Sequence, residues 1–112
     1  VSQGHLLRLL SEAHVSTQTM AGVCTGTMLL AHAGVVGSRR ATTHHNAWSD
    51  LSDRGANVVS DRVVDDGPLV TSGGVTSGID LALWLVEREF SRRIADEVAA
   101  GMEYQRWRPA AE

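Results

Sequence analysis

Hydrophobic positions near the start of the chain recur with the period of an amphipathic helix. The apolar face consists of Leu6, Leu7, Leu9, Leu10 and Ala13, and polar side chains fill the opposite face at Arg8, Ser11 and Glu12. This spacing predicts a helix of about three turns. The next apolar run, Met20–Val23, predicts a short buried strand. Residues 27–33 are small and apolar, which favours a buried helix that ends at Gly34.

The middle of the chain predicts short elements. Residues 40–44 are rich in β-branched side chains and predict a brief strand. Residues 46–54 have the pattern of a helix, which Asn46 would cap and Gly55 would end, and a short segment with an apolar centre follows at 57–60. The sequence Asp66-Gly67-Pro68 predicts the turn of a hairpin between residues 62–65 and 69–71. Aspartates around this hairpin are expected to be solvated turn residues, namely Asp61, Asp65 and Asp66.

Two helices are predicted at the end of the chain. The first covers residues 76–90, with a buried face at Ile79, Leu83, Val86 and Phe90 and a solvated face at Glu87, Arg88 and Glu89. A break at residues 91–93 leads to a second helix whose apolar positions are Ile94, Val98, Met102 and Trp107. Pro109 is expected to end this second helix.

Strands that alternate with helices indicate an α/β fold with a largely parallel sheet. Such a sheet is covered on both faces and has more strands than this sequence predicts, so we expect 112 residues to form part of a domain. The net charge of −3 gives no reason to expect nucleic acid or an anionic membrane as a partner. No apolar run is long enough for a membrane span. A single cysteine fits a reducing compartment, and we expect a cytoplasmic protein.

The single cysteine lies in the sequence Gly22-Val-Cys24-Thr-Gly26, between a predicted strand and a predicted helix. This is the pattern of a nucleophile elbow, a tight turn that lifts a reactive side chain above the edge of a sheet. The two glycines are expected where neighbouring backbone approaches closely. The positive end of the following helix would favour the thiolate, and the Thr25 N–H could donate to a developing anion. The alternative is that Cys24 is a small buried hydrophobic residue.

Two stretches of the sequence, "AGVCTGTMLLAHAGVVGSRRATTHH" and "DRVVDDGPLVTSGGVTSGIDLAL", resemble the ThiJ/PfpI family of the class I glutamine amidotransferase-like superfamily. The resemblance implies a flavodoxin-like three-layer sandwich with a mostly parallel sheet and a nucleophilic Cys24. Residues 1–112 would be the C-terminal part of one such domain. The Cys-Thr-Gly form is most similar to the isonitrile hydratase branch of the family.

The resemblance also implies further site residues. The family has a histidine about twenty residues after the cysteine, and His44 stands at that position. Catalytic roles are therefore expected for Cys24, Thr25 and His44, and pocket or oxyanion roles for Gly26, Thr43 and His45. Taken alone, the pair His44-His45 would more often be a surface feature than part of a site. A tryptophan commonly follows this histidine in hydratase-like members, whereas here His45 follows it. The shape of the pocket, and with it the substrate, is therefore expected to differ from those of such members.

No metal site or cofactor is expected. The adjacent residues His44 and His45 would point to opposite faces of a strand, and the other histidines have no ligand spacing. The segment Ser72–Asp80, "SGGVTSGID", has glycines before a helix but no lysine, so phosphate binding is a weak interpretation. We expect it to form a tight strand-to-helix turn at the same sheet edge as the elbow.

The resemblance implies a function, and it also implies an acidic catalytic partner that this sequence lacks. Family members pair the cysteine with an acidic residue from an early strand, and neither Glu12 nor Asp50 stands at that position. A companion chain or further residues, and a homodimer, are therefore expected. The expected activity is the hydration of a small-molecule isonitrile, a lyase reaction. The alternatives are a redox-sensing or ligand-binding domain of a regulator, or a protease, glyoxalase or deglycase. Because the sequence ends at Glu112, before any helix-turn-helix motif, the enzyme is preferred.

Overall fold

The computed structural model describes residues 3–109, which form helices and short strands in alternation. The helices are α1 (Gln3–Ser16), α2 (Gly26–His32), α3 (Trp48–Asp53), α4 (Val75–Glu89) and α5 (Arg92–Gly101), with a single 3₁₀ turn at His45–Ala47. The strands are β1 (Met20–Val23), β2 (Arg40–Ala41), β3 (Asn57–Val58), β4 (Val63–Asp66) and β5 (Leu69–Ser72). The predicted α/β class is confirmed.

The main sheet has three strands in the order β1-β5-β4. Strand β1 runs parallel to β5, with Val23 beside Ser72, and β4 runs antiparallel to β5 as the predicted hairpin requires. Gly67 in the hairpin turn has a φ of +75°, a conformation that favours glycine. The two short strands β2 and β3 pair in parallel as a second sheet.

Helices cover both faces of the main sheet. Successive side chains of β5 point to opposite faces, so Leu69 joins one hydrophobic cluster and Val70 joins another. The cluster around Leu69 includes Leu30 of α2, and the cluster around Val70 includes Leu81 of α4. Two cores on the two faces of one sheet make a three-layer sandwich, as the family resemblance implies.

Strand β5, rather than β1, is the buried strand of the sheet. All four residues of β5 are buried, whereas Gly22 alone is buried in β1, and the Val23 side chain is 41% exposed. The prediction that Met20–Val23 is buried was therefore wrong. Between residues 3 and 109, β1 pairs with β5 along one edge and with no strand along its other edge, so it is an edge strand of this sheet.

The segment after β2 is less regular than predicted. The strand expected over residues 40–44 ends at Ala41, and the helix expected from Asn46 begins as a 3₁₀ turn before α3. The cap is His44 rather than Asn46, because the His44 side chain accepts a hydrogen bond from the Asn46 N–H. Gly55, with a φ of +99°, follows α3 as predicted.

The outer helices differ from the prediction in which side chains they bury. Phe90 is 75% exposed and lies outside α4, while Ala95 and Ala99 are the buried residues of α5. Helix α5 ends at Gly101, so the prediction that it reaches Trp107 and ends at Pro109 was wrong. Small side chains let α5 approach α4 closely, which turns the larger apolar side chains of α5 outward.

Several charged side chains that were predicted to be solvated are paired instead. Asp65 accepts hydrogen bonds from Trp84 Nε1 at 2.6 Å and from Arg88 Nη1 at 3.1 Å. Glu87 pairs with Arg106 and Arg108 and is largely buried. Asp66 is half-buried and forms long ion pairs with Arg39 at 3.8 Å and with Arg40 at 3.5 Å. Asp61 and Glu89 are exposed, as predicted.

Candidate active site around Cys24

Cys24 follows the last residue of β1 and has a φ of +56°. Few residues other than glycine adopt this left-handed conformation, and its cost must be offset by the surrounding structure. The Cys24 N–H donates a 3.1 Å hydrogen bond to the Ser72 carbonyl at the end of β5. The turn is therefore held to the neighbouring strand, and the half-buried Cys24 lies at the carboxyl edge of the parallel pair.

The two glycines that flank Cys24 have different surroundings. A Cβ atom on Gly22 would lie 2.7 Å from Thr27 Oγ1 and 2.9 Å from Thr27 Cα, so only glycine fits there without movement of the backbone. A Cβ on Gly26 would meet no atom of the described residues within 4 Å. The expected close approach is confirmed for Gly22 and was wrong for Gly26.

Thr25 is the N-cap residue of α2. Its backbone is already helical, its side chain is exposed and makes no capping hydrogen bond, and its carbonyl accepts from the Met28 N–H at 3.0 Å. The N-terminus of α2 therefore follows Cys24 directly. The partial positive charge of a helix N-terminus favours an anion at this place.

Thr43 links the elbow to the segment after β2. Its buried hydroxyl donates a 2.8 Å hydrogen bond to the carbonyl oxygen of Cys24. The neighbouring Thr42 N–H donates to Thr71 Oγ1 at 2.9 Å, which ties the same segment to β5. Trp48 Nε1 donates to Thr42 Oγ1 and to the Thr43 carbonyl, at 3.2 and 3.0 Å. Trp48 thus fixes the backbone that positions Thr43.

His44 and His45 lie beside this segment as stacked rings. Their centroids are 4.3 Å apart and their planes differ by 29°, and His45 also meets the edge of Trp48. His44 Nδ1 accepts from the Asn46 N–H at 3.2 Å, so a neutral His44 carries its proton on Nε2. A Cβ on Gly74 would lie 4.0 Å from His44 Cδ2. His44 is therefore next to the turn that begins α4.

The turn between β5 and α4 lies at the same sheet edge as the elbow, as predicted. Gly73 N–H donates to the Arg62 carbonyl at 3.1 Å, and a Cβ on Gly73 would lie 3.6 Å from the Thr43 carbonyl. Together these contacts bring the residues that were assigned to the site from the sequence to one edge of the sandwich, in two segments, 24–26 at the elbow and 43–45 after β2. These residues are Cys24, Thr25, Gly26, Thr43, His44 and His45.

Sequence reasoning missed the buried Asp80, which holds the C-terminal segment against α4. Its Oδ2 accepts from Arg62 Nη2 at 2.7 Å and from the Tyr104 hydroxyl at 3.0 Å, and its Oδ1 accepts from the Trp107 N–H at 2.7 Å. A signal was present in the sequence, because Asp80 stands three residues before Leu83, a predicted inward position, and residues three apart on a helix lie on the same face.

Hydrogen bonds and burial shift several pKa values in this region. The hydrogen bond that Arg62 donates to Asp80 raises the pKa of Arg62. Burial, followed by the hydrogen bond with Asp80, raises the pKa of Tyr104. Both shifts keep these groups in the protonated forms that donate to Asp80.

Within residues 3–109 we also looked for a cleft, a metal site and a membrane-spanning helix away from the elbow. A cleft of about 550 Å³ lies along β4 and is lined by residues that include Arg40, Asp61 and Trp84, but by no residue of the elbow. No group of three or more His, Cys, Asp or Glu side chains in this part of the chain could hold a metal ion. None of its helices is long and apolar enough to cross a membrane.

The sequence matches the profile of the DJ-1/PfpI family over residues 2–88. The chain belongs to the DJ-1/PfpI family. It is 45% identical over 82 residues to an isonitrile hydratase of Pseudomonas putida, an alignment that covers 73% of this chain and 36% of that protein. It is 34% identical over 93 residues to the HTH-type transcriptional regulator CdhR of Pseudomonas aeruginosa, covering 81% of this chain and 28% of that protein.

One solved structure is similar to this DJ-1/PfpI chain over nearly the whole length of the chain. A ThiJ/PfpI family protein from Pseudomonas syringae superposes with a TM-score of 0.84 at 28% identity, covering 93% of this chain and 43% of that protein. The flavodoxin-like fold class is therefore confirmed. The chain spans about a third of the length of the two curated relatives above.

Proposed function

We propose that Cys24 is the nucleophile of a hydratase-like enzyme that adds water to a small isonitrile. The observation that carries the proposal is the left-handed backbone of Cys24 between the end of β1 and the start of α2. This conformation costs stability, and such strain is typical of functional sites. The 45% identity to an isonitrile hydratase supports this substrate class.

The proposed reaction forms and breaks a covalent bond to sulfur. The Cys24 thiolate attacks the terminal carbon of R–N≡C, and that carbon gains a proton to give the thioimidate R–N=CH–S–Cys. Water adds to the C=N bond, with one proton going to nitrogen and the hydroxyl to carbon. Collapse of the adduct releases the N-substituted formamide R–NH–CHO and returns the thiol. Covalent catalysis replaces one difficult addition with two easier ones.

Each neighbouring group has a role in the proposal. The N-terminus of α2, which begins with the Thr25 N–H, would stabilise negative charge as it develops. The Nε2–H of His44 would donate a hydrogen bond to the substrate, because Nδ1 is occupied by Asn46. Gly26, Thr43 and His45 would shape the pocket.

The proton that the terminal carbon gains would come from an acid outside residues 3–109. The carboxylates whose partners are known bind arginine at other places in the fold, namely Asp65, Asp66, Asp80, Glu87, Glu89, Asp96 and Glu97. We propose that a companion chain, or further residues of a longer protein, supply this acid, and that the active protein is a homodimer.

The test is formamide production from a small alkyl or aryl isonitrile by the full natural chain that contains these residues. The wild type should form the formamide and should show a transient mass increase on Cys24 equal to the isonitrile. Cys24→Ser should lose both signals while keeping its circular dichroism spectrum. If Cys24→Ser retains formamide production, the proposed nucleophile is wrong. If Cys24 is alkylated by iodoacetamide but no isonitrile is turned over, the substrate class is wrong.

A second candidate function is a ligand-binding or redox-sensing domain of a regulator. The 34% identity to the regulator CdhR favours it. An accessible, activated cysteine is also the group that peroxide converts to sulfenic and then sulfinic acid. Intact mass after mild peroxide treatment separates the two functions. A stable addition of two oxygens on Cys24 without isonitrile turnover supports the sensor, and turnover with an unmodified thiol supports the enzyme.

A further inference from the structure

Helix α4 begins beside the elbow with backbone N–H groups that have no acceptor. Its N-cap residue is Gly74, which has no side chain to accept from them, and the first turn carries no acidic residue. The N–H groups of Gly74, Val75 and Thr76 meet no acceptor among the described residues. Val75 is 83% exposed, so this end of the helix is open to solvent. The partial positive charge of a 15-residue helix is thus left free at its start.

The Ser77 hydroxyl is buried at this helix start and also lacks a partner. Ser77 is 5% exposed, and its side chain makes no hydrogen bond to any residue that the structure describes. A Cβ atom on Gly73 would lie 4.0 Å from Ser77 Oγ, so the hydroxyl points back toward the turn before α4. Buried polar groups in proteins almost always have a hydrogen-bond partner. The Ser77 hydroxyl therefore indicates that a polar group binds at this turn.

A second hydroxyl without a partner lies behind the same turn. Ser72 is fully buried, and its Oγ has no hydrogen-bond partner among the described residues. Its side chain points to the same face of β5 as Val70, which packs with Leu81 of α4. Because the chain reverses at residues 73–74, Ser72 faces the first turn of α4. Two donors, Ser72 and Ser77, are thus available in this region.

A guanidinium adds positive charge to the start of α4. Arg62 Nη2 donates to Thr76 Oγ1 at 3.2 Å and to Asp80 Oδ2 at 2.7 Å. The Asp80 side chain is 1% exposed, whereas the Arg62 side chain is 41% exposed. Solvent at the start of α4 therefore meets the guanidinium and not the carboxylate. The helix end and this side chain together favour an anion over a cation or a neutral group.

The start of α4 is close enough to Cys24 for one small molecule to reach both. The Cys24 N–H donates to the Ser72 carbonyl, and Gly74 is two residues further along the chain. Consecutive Cα atoms are about 3.8 Å apart, so the Cα atoms of Ser72 and Gly74 are at most about 8 Å apart. A Cβ on Gly74 would lie 4.0 Å from His44 Cδ2, so His44 borders the same space.

We infer that the start of α4 is a subsite for the carboxylate of a substrate whose reacting carbon meets Cys24. The free N–H groups and the Ser77 hydroxyl would donate to the carboxylate oxygens. Because Asp80 already neutralises Arg62, a monoanion matches the charge of this place better than a phosphate dianion does. The inference rests on the proposed function and narrows its substrate class to short isonitriles that carry a carboxylate. Isocyanoacetate is the simplest, and its hydration consumes one water and gives N-formylglycine.

The test compares the alkylation of Cys24 by iodoacetate and by iodoacetamide in the full natural chain that contains these residues. Both reagents alkylate the sulfur with loss of iodide and have nearly the same shape, but only iodoacetate carries a carboxylate. The rate ratio of iodoacetate to iodoacetamide is divided by the same ratio for a small free thiol. This normalised ratio should be roughly tenfold or more in the wild type. A change in the pKa of the thiol affects both reagents alike and cancels.

Two substitutions at the start of α4 should lower the normalised ratio. Gly74→Asp places a competing carboxylate at the N-cap and should bring the ratio down to that of the free thiol. The substitution fits, because among the described residues a Cβ there meets only His44, at 4.0 Å. Ser77→Ala removes one donor and should lower the ratio by about threefold or more.

Gln18→Glu is the control for added charge. Gln18 is exposed and precedes β1, so it lies at the opposite end of that strand from Cys24. It should keep the wild-type ratio, and circular dichroism should show the same helix content for all variants. In a second measurement, the wild type should hydrate isocyanoacetate with a kcat/KM roughly tenfold or more above that for isocyanoacetamide.

The outcomes separate the subsite from the proposed reaction. A wild-type ratio equal to that of the free thiol would overturn the subsite, because another part of the protein would then occupy the start of α4. A raised ratio that survives both Gly74→Asp and Ser77→Ala would also overturn it. A raised ratio without hydration of either isonitrile would support the subsite and contradict the reaction. If neither reagent alkylates Cys24, the nucleophile is wrong and the subsite falls with it.

Discussion

The Thr43 hydroxyl donates a hydrogen bond of 2.8 Å to the carbonyl oxygen of Cys24, and the Cys24 N–H in turn donates to Ser72. The peptide groups on both sides of the strained Cys24 residue are therefore held by neighbouring segments. A left-handed conformation persists only where its surroundings determine it. Thr43 is thus a positioning residue for the elbow, acting through the backbone and not through the sulfur.

Thr43→Val removes this hydrogen bond while keeping the shape of the buried side chain. We expect the free energy of unfolding to fall by about 1–2 kcal/mol, because the Cys24 carbonyl loses its donor. The rate of Cys24 alkylation by iodoacetamide should fall as well, because the turn is less firmly held. Thr43→Ser keeps the hydroxyl and should retain the wild-type alkylation rate. Equal alkylation rates for Thr43→Val and Thr43→Ser would show that the hydrogen bond does not position the elbow.

Gly22→Ala and Gly26→Ala form a matched pair around Cys24. Alanine at Gly22 would place its Cβ within 3 Å of Thr27, so we expect destabilisation of about 1–3 kcal/mol and a loss of Cys24 reactivity. Alanine at Gly26, in the first turn of α2, meets open space and should be neutral or stabilising by up to about 1 kcal/mol. Urea denaturation measures both changes. Equal destabilisation by the two substitutions would contradict the steric explanation.

The sequence predicts which helices and strands surround the site better than it predicts which of their side chains are buried. The order of strands and helices, the hairpin with its turn at Gly67, and the close approach at Gly22 follow from local pattern and from glycine chemistry. The exposure of Phe90 could not be predicted in this way, because its position in a helical repeat does not show which neighbour that face meets. Here Ala95 and Ala99 form the contact with α4, so the apolar side chains beside them remain exposed.

Partners that lie far apart in the sequence were also beyond prediction. Asp65 looks like a turn residue in its local context, but Trp84 and Arg88 reach it from α4. The link between Thr43 and Cys24 likewise depends on how the segment after β2 crosses the elbow. The family resemblance assigned Thr43 to the site without the physical reason, which the hydrogen bond now provides.

Asp65→Asn tests the network that joins the hairpin to α4. The substitution removes the charge that pairs with Arg88 and weakens the 2.6 Å hydrogen bond from Trp84 Nε1. We expect the free energy of unfolding to fall by about 2 kcal/mol, because a largely buried arginine loses one of its two carboxylate partners and keeps only the more exposed Glu89. Asp61→Asn is the control at an exposed position and should change stability by less than about 0.5 kcal/mol. Similar effects of the two substitutions in urea denaturation would restore the interpretation of Asp65 as a solvated turn residue.

Glu87 should make the stability of the fold depend on pH in the acid range. The hydrogen bond from Arg108, with the charge of Arg106, holds the pKa of Glu87 below its ordinary value. A carboxylate whose pKa is lower in the folded state binds fewer protons there than in the unfolded chain. Its stabilisation is therefore complete above the unfolded-state pKa of about 4.3 and is lost as the pH falls through the lower, folded-state value.

The difference in unfolding free energy between the wild type and Glu87→Gln isolates this contribution. At pH 7 the wild type should be the more stable, because Glu87→Gln leaves Arg106 and Arg108 without their shared carboxylate. The difference should shrink as the pH is lowered below about 4.3, since protonation then removes the same charge from the wild type. Glu89→Gln, at an exposed position, should show a small difference at every pH. Urea denaturation at a series of pH values measures all three proteins, and a difference for Glu87→Gln that stays constant down to about pH 3 would show that its ion pairs do not stabilise the fold.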